Sequence, residues 1–128
     1  MNEKEGYSEK EGYSMKQTVE LTGLSKDTLR YYEQIGVLGP VARDRNRYRH
    51  YSQAEIDWLK IVKMLRTTGI GINEFVGRQQ AGTRERREYL ERYQQQIREN
   101  IEELERIQGV LSEKLMFLKN KEKIEQRS

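Results

Sequence analysis

The sequence predicts a mainly α-helical fold: a winged helix-turn-helix domain with a small β-hairpin wing, followed by a long coiled-coil helix. Residues 22–38, TGLSKDTLRYYEQIGVL, carry the turn and capping residues of a helix-turn-helix. Residues 41–52, VARDRNRYRHYS, alternate loosely around a polar centre, as a hairpin does. From residue 83 onward, apolar residues recur with a heptad period. The predicted organisation is a disordered N-terminal extension (1–12), the winged domain (13–82) and the coiled-coil dimerisation helix (83–128).

The composition narrows the classes of protein to consider. Of 128 residues, 34% are hydrophobic and 35% are charged. So few apolar residues can form only a small core in a globular chain. Long helices that share a core with a partner, or local disorder, would account for this composition. The absence of cysteine excludes disulfides, thiolate metal sites and iron–sulfur clusters. No apolar run approaches the roughly 18–20 residues that span a bilayer, and no charged-then-apolar leader is present. We therefore expect a cytoplasmic protein with no membrane partner.

The chain starts with a repeated motif, EKEGYS at residues 3–8 and again at 9–14. The motif is polar, contains glycine and lacks apolar periodicity, so it indicates a disordered extension or a duplicated start. Tyr13 and Ser14 of the second copy are expected to begin the folded part.

Two short helices are predicted next. Residues 15–22 form the first, with Val19 and Leu21 among its apolar positions, and Gly23 supplies the turn. Ser25 is a suitable N-cap for a second helix at about 26–36. Asp27 suits the positive end of that helix, and Gly36 closes it with a residue that tolerates the left-handed conformation.

The wing and two further helices follow. Gly39 and Pro40 break the helical pattern, and residues 41–51 fit two short strands around a turn at Asp44, Arg45 and Asn46. Ser52 and Glu55 form a capping box for a helix that extends to about residue 68. Another short helix is predicted at about 72–80, and Gly82 ends it.

The last 46 residues read as one long helix with a leucine seam. Because an isolated amphipathic helix would leave this stripe in water, a second copy is expected to cover it, which predicts a homodimer. Gln94 and Gln108 on the seam would weaken packing but could fix its register. The predicted dimerisation residues are Leu90, Ile97, Ile101, Leu104, Leu111, Leu115 and Leu118.

Positive charge is concentrated in the winged domain. Residues 13–82 have a net charge of +4, whereas residues 83–128 have a net charge of +1. A basic and aromatic helix next to a cationic hairpin fits the grooves and phosphates of duplex DNA. The predicted DNA-binding residues are Ser25, Lys26, Asp27, Thr28, Arg30 and Tyr31 on the helix, and Arg43, Arg45, Asn46, Arg47, Tyr48 and Arg49 in the wing.

Chemistry other than binding has little support in the sequence. His50 is the single histidine, and a metal site needs several ligands, so we expect no metal site. No nucleophile–base pair and no phosphate-binding glycine loop can be assembled. We therefore expect a protein that is not an enzyme, with no catalytic residues and no cofactor.

These segments together resemble the MerR family of bacterial transcriptional regulators. The resemblance covers about residues 13–80 and is carried by LTGLSKDTLRYYEQIGVL, then Arg43, then the wing end Tyr48-Arg49-His50-Tyr51-Ser52, then the Glu55-Ile56 helix start and the Leu65-Arg66-x-x-Gly69 helix end. There are departures. Arg47 stands where the family usually has glycine, a second proline near Pro40 is missing, and Gly71 replaces a Ser or Pro helix starter.

The resemblance implies a function. Family members bind pseudo-palindromic operators in promoters with an overlong spacer and distort the DNA for RNA polymerase. It also implies that Arg30 and Tyr31 hold the DNA backbone, while the first turns of the helix read bases. A small non-metal effector, or none, remains open. The alternative is a winged-helix adaptor or architectural protein that acts through protein–protein contacts.

Overall fold

The structure, a computed structural model, describes residues 12–127. The repeated start before Gly12 lies outside the described residues. The chain divides into two compact units between Tyr89 and Leu90. The first unit holds the helix-turn-helix and the wing, and the second is helical throughout its described length. The predicted mainly α-helical fold with a two-stranded hairpin and a long final helix is thus confirmed.

Two capped helices form the helix-turn-helix. Helix α1 (Met15–Thr22) begins with a capping box in which the Ser14 hydroxyl accepts from the Gln17 amide. Helix α2 (Lys26–Ile35) begins at the predicted N-cap, Ser25. Gly23, at φ 75°, makes the turn between them, where a residue with a side chain would be strained.

A minimal hairpin forms the wing. Strands β1 (Ala42–Arg43) and β2 (Arg49–His50) pair antiparallel. An isolated bridge between Tyr13 and Tyr51 extends this pairing by two backbone hydrogen bonds of 2.8 Å. Tyr13 thus pairs with the end of the wing, and Ser14 caps α1. The wing is defined below as residues 41–51.

Helix α3 (Gln53–Arg66) packs against α1 and supports the turn. It starts with the predicted Ser52 and Glu55 capping box. Its Trp58 indole N–H donates to the Val37 carbonyl at 2.9 Å, and the Lys63 ammonium donates to the Thr22 carbonyl at 3.1 Å. Because a cation at a helix C-terminus satisfies an orphan carbonyl, Lys63 fixes α1 at its end.

The core of the first unit lies among these three helices and the wing base. It contains two polar residues, Thr18 and Thr22, whose hydroxyls donate to the carbonyls of Ser14 and Thr18 one turn earlier. The predicted apolar position Leu21 is instead 45% exposed. The fully buried apolar and aromatic side chains are Leu29, Val37, Leu38, Tyr51, Ile56, Leu59, Val62 and Phe75.

The helix predicted at 72–80 is wrong in extent. Only a 3₁₀ helix, Ile72–Phe75, forms there. Val76 then adopts an extended conformation, and Gly77 has a φ of 78° and donates its amide to the Gly36 carbonyl at 2.9 Å. That hydrogen bond is incompatible with continued helix, so the segment turns to dock on the end of α2.

Helix α4 (Thr83–Arg127) has 45 residues, of which only Tyr93 is buried in the single chain. Its seam leucines are exposed, with Leu104 63% and Leu111 54% accessible. Within residues 12–127, no helix is both long enough and apolar enough to cross a membrane.

Candidate nucleic-acid interface

The twelve residues predicted to bind DNA lie at the surface of the first unit. Ten of them are exposed, and Thr28 and Arg49 are half-buried. These residues belong either to α2 and its N-cap or to the wing. The Glu33 side chain connects these two elements. A duplex could therefore reach nearly all of these groups.

Helix α2 separates a buried face from a basic one. Leu29 and Tyr32 are buried, while Tyr31 is 50% exposed and Arg30 lies beside it on the surface. Arg30 pairs with Asp27 at 3.3 Å, an exposed ion pair of the kind that contributes little to stability. The arrangement leaves the guanidinium of Arg30 at the surface, where an incoming phosphate can compete for it.

Asp44 organises the turn of the wing. One of its carboxylate oxygens accepts from the amides of Asn46 at 2.8 Å and Tyr48 at 3.0 Å. The other lies 3.1 Å from Nε2 of His50. The hydrogen bond from the Tyr48 amide, with help from His50, holds the pKa of Asp44 below its usual value. The single acid of the turn thus supports its backbone.

Arg47 occupies a strained position in this turn. Its φ is 68°, and its amide donates to the Asp44 carbonyl at 2.9 Å. The left-handed conformation costs roughly 1–2 kcal/mol for a residue with a side chain. The turn therefore adopts a backbone conformation that glycine would favour, with an exposed cation in its place.

Replacing Arg47 with glycine should separate stability from binding. The variant is expected to gain roughly 1 kcal/mol of stability, or about 4–8 °C in the melting temperature of a domain of this size. If Arg47 contacts a phosphate, the log–log salt slope of DNA binding should fall by about 0.9. Calorimetry and binding titrations at several salt concentrations measure the two effects.

Arg45→Gly is the matched control for this prediction. The substitution removes a cation from the same turn. Among the described residues other than glycine, only Arg47 has a positive φ. Arg45→Gly should therefore bring no gain in melting temperature. An equal gain in both variants would show that relief of the Arg47 conformation is not the cause.

Glu33 of α2 holds the wing against the helix. Its Oε1 accepts from Nε of Arg49 at 2.8 Å, and its Oε2 accepts from the amide of Val41 at 3.0 Å. Burial acts to raise the pKa of Glu33, but these hydrogen bonds and the positive charge of Arg49 outweigh it, so that the pKa lies below its usual value. Glu33 was not among the residues predicted from sequence.

A cleft of about 400 Å³ lies between the start of α1, α2 and the wing. It is lined by the predicted residues Arg30, Arg47 and Arg49, and also by Lys16 in the first turn of α1. Sequence reasoning missed Lys16, although its place two residues after the N-cap of α1 was a signal, since helix N-termini attract anions. Four basic side chains against the one acid of the lining, Asp44, make the cleft suited to a phosphate group.

Other chemistry finds no support in this region. Tyr51 is fully buried, its hydroxyl has no hydrogen-bond partner among residues 12–127, and burial raises its pKa. Tyr51 is therefore part of the core beneath the wing. Within residues 12–127, no group of three or more His, Cys, Asp or Glu side chains is placed to hold a metal ion.

Comparison with known proteins adds independent information. The family model described as MerR HTH family regulatory protein matches residues 13–75. The HTH-type transcriptional regulator AdhR of Bacillus subtilis is 35% identical over 60 residues, which are 47% of this chain and 43% of AdhR. The mercuric resistance operon regulatory protein of Bacillus cereus is 33% identical over 73 residues, 52% of this chain and 55% of that protein. The chain spans about half the length of the curated relatives it matches.

A solved structure is similar over most of the chain. HiNmlR, described as a MerR family regulator lacking the sensor domain and bound to promoter DNA, matches with a TM-score of 0.69 at 26% identity. The similarity covers 85% of this chain and 91% of HiNmlR. It therefore includes part of α4 as well as the winged unit.

Proposed function

The chain belongs to the MerR family of helix-turn-helix regulatory proteins, and from this premise we propose that it is a dimeric, sequence-specific DNA-binding transcriptional regulator. The observation that carries the proposal is the shared basic surface of α2 and the wing. Ten of its twelve predicted contact residues are exposed, and Glu33 links the two elements. The solved complex of HiNmlR with promoter DNA supports a duplex as the partner.

The dimer part of the proposal rests on α4. Six of its seven predicted dimerisation residues are exposed in the single chain, from 43% for Leu90 to 63% for Leu104, and Ile97 is half-buried. Burying a leucine side chain contributes about 1.5–3 kcal/mol, so covering the seam with a second copy is strongly favourable. An antiparallel pair of α4 helices would carry one winged unit at each end.

Such a dimer would read a pseudo-palindromic operator. Two α2 helices would enter successive major grooves with centres about 34–36 Å apart. The operator would lie in a promoter, and bending or untwisting it costs on the order of 1–6 kcal/mol. RNA polymerase at that promoter is the third partner that we propose, because regulators of the family act there.

An effector, where one acts, would be a small non-metal molecule. The chain has no cysteine, so the thiolate ligands that soft metal ions prefer are missing. One relative is named for the mercuric resistance operon. Its similarity covers only part of each chain, and nothing in that name is carried over to this protein.

Selection of bound sequences from random duplex DNA tests the proposal. A regulator should enrich one pseudo-palindromic site and bind it roughly 10³-fold or more tightly than random duplex at physiological salt. Uniform binding to all duplexes would instead indicate an architectural protein. No binding at low salt would indicate an adaptor and overturn the proposal.

A further inference from the structure

Glu33 connects α2 to both arms of the wing through one carboxylate. Oε2 receives the amide of Val41, where the wing begins, and Oε1 receives the guanidinium of Arg49 in β2. The Glu33 side chain is only 17% exposed and that of Arg49 only 20%. Because charge-assisted hydrogen bonds in a partly buried site are stronger and more directional than exposed ones, this is a firm link.

The wing needs such a link because its own pairing is small. Each strand has two residues, and a two-stranded hairpin is marginally stable by itself. The bridge between Tyr13 and Tyr51 holds the C-terminal end of the wing against Tyr13, the residue before the N-cap of α1. Buried Val41 and Tyr51 hold the base of the wing, and Glu33 links the wing to α2 by hydrogen bonds.

The charge of Glu33 points to geometry rather than attraction. A carboxylate within a basic surface repels DNA phosphates, so a residue that served general affinity here would be neutral or basic. Glu33 instead neutralises Arg49, one of the cations available to the duplex. An acid that weakens general attraction and also fixes two DNA-facing elements is suited to discrimination between sites.

We propose that Glu33 is a positioning residue that sets the wing against α2, and that preference for the operator over other DNA depends on this setting. The inference rests on the proposed function. Contacts from α2 and from the wing can form together only on a duplex whose groove and backbone match their fixed separation. A wing that moves independently can follow the phosphates of any sequence.

Two substitutions separate geometry from charge. Glu33→Gln has nearly the same shape, but an NH₂ group replaces one of the two oxygens that accept from Val41 and Arg49, so one donor loses its acceptor, and the negative charge is lost. Glu33→Asp keeps the charge, but it is one methylene shorter and cannot span Val41 and Arg49. Affinities of the full chain for the selected operator and for random duplex are measured for each variant. Glu20→Gln, at an exposed position of α1, controls for charge alone.

Opposite changes in the two affinities are expected. Glu33→Gln should bind the operator roughly tenfold more weakly, the size of one mismatched base pair, yet bind random duplex more tightly. Glu33→Asp should bind the operator more weakly, while its affinity for random duplex should stay unchanged. Glu20→Gln should change both affinities by the same factor. A ratio of operator to random affinity that stays at the wild-type value in both Glu33 variants would overturn the inference. Simple destabilisation lowers both affinities in parallel, which is also a negative result.

A measurement without DNA keeps the inference distinct from the proposed function. Nuclear Overhauser contacts between α2 and the wing, and protection of the Val41 amide from exchange, should be lost in both Glu33 variants. If they persist, Glu33 does not position the wing, whatever the DNA results. If wild-type protein prefers no duplex but the contacts are lost in the variants, the positioning role stands and the regulator proposal fails.

Discussion

Replacing Leu104 and Leu111 together with glutamate is expected to yield monomers and to weaken operator binding by at least about a hundredfold. Both side chains lie on the seam of α4 and are more than half exposed in the single chain. In a dimer each copy would bury both, at about 1.5–3 kcal/mol per leucine, and four buried carboxylates cannot be accommodated there. The loss of operator affinity follows because the second winged unit would no longer be held near its half-site.

Sedimentation equilibrium and operator titrations measure these two effects. Met116→Glu is the matched control, since it adds a charge at an exposed apolar position of the same helix but off the seam. The control should remain dimeric and retain its affinity. A double variant that still sediments as a dimer would place the subunit interface elsewhere.

Replacing Phe75 with alanine is expected to cost about 3–5 kcal/mol of the stability of the first unit. Phe75 is fully buried in the 3₁₀ helix and meets the Trp58 ring edge-to-face, with centroids 6.0 Å apart. Since small domains have about 5–15 kcal/mol in total, the variant should be partly unfolded at moderate temperature. Calorimetric melting of the variant and the wild type measures the loss.

Phe117→Ala provides the control for the loss of a phenyl ring. Phe117 is the other phenylalanine of the chain and is 57% exposed on α4. Its replacement should leave the melting of the first unit nearly unchanged. A cost below about 1 kcal/mol for Phe75→Ala would mean that the site can collapse around the missing ring.

Local signals accounted for much of the fold. Ser25, Gly36 and the capping box at Ser52 and Glu55 mark helix ends through hydrogen bonds within four residues or a required backbone conformation, so the sequence displays them directly. The leucine period likewise predicted an uninterrupted helix from Thr83. These features need no knowledge of distant contacts.

Features that depend on distant contacts were not predictable in this way. Glu33 bonds partners eight and sixteen residues away, and its sequence context shows only an acid on a helix. Thr18 and Thr22 count as polar positions in a hydropathy pattern. They can be buried because their hydroxyls donate to carbonyls in the preceding turn of their own helix. The prediction of a helix at 72–80 was wrong because the hydrogen bond from the Gly77 amide to the Gly36 carbonyl joins residues that are distant in sequence. A local pattern does not show such a bond.

The packing of half-buried Trp58 against Phe75 has a practical consequence. Trp58 is the only tryptophan in the chain, so intrinsic fluorescence excited selectively at the indole reports the winged unit. Circular dichroism at the amide bands is dominated by α4, whose 45 residues exceed the 8, 10 and 14 residues of the other three helices together. Two optical signals from one unlabelled sample can therefore follow the melting of the winged unit and of α4 separately.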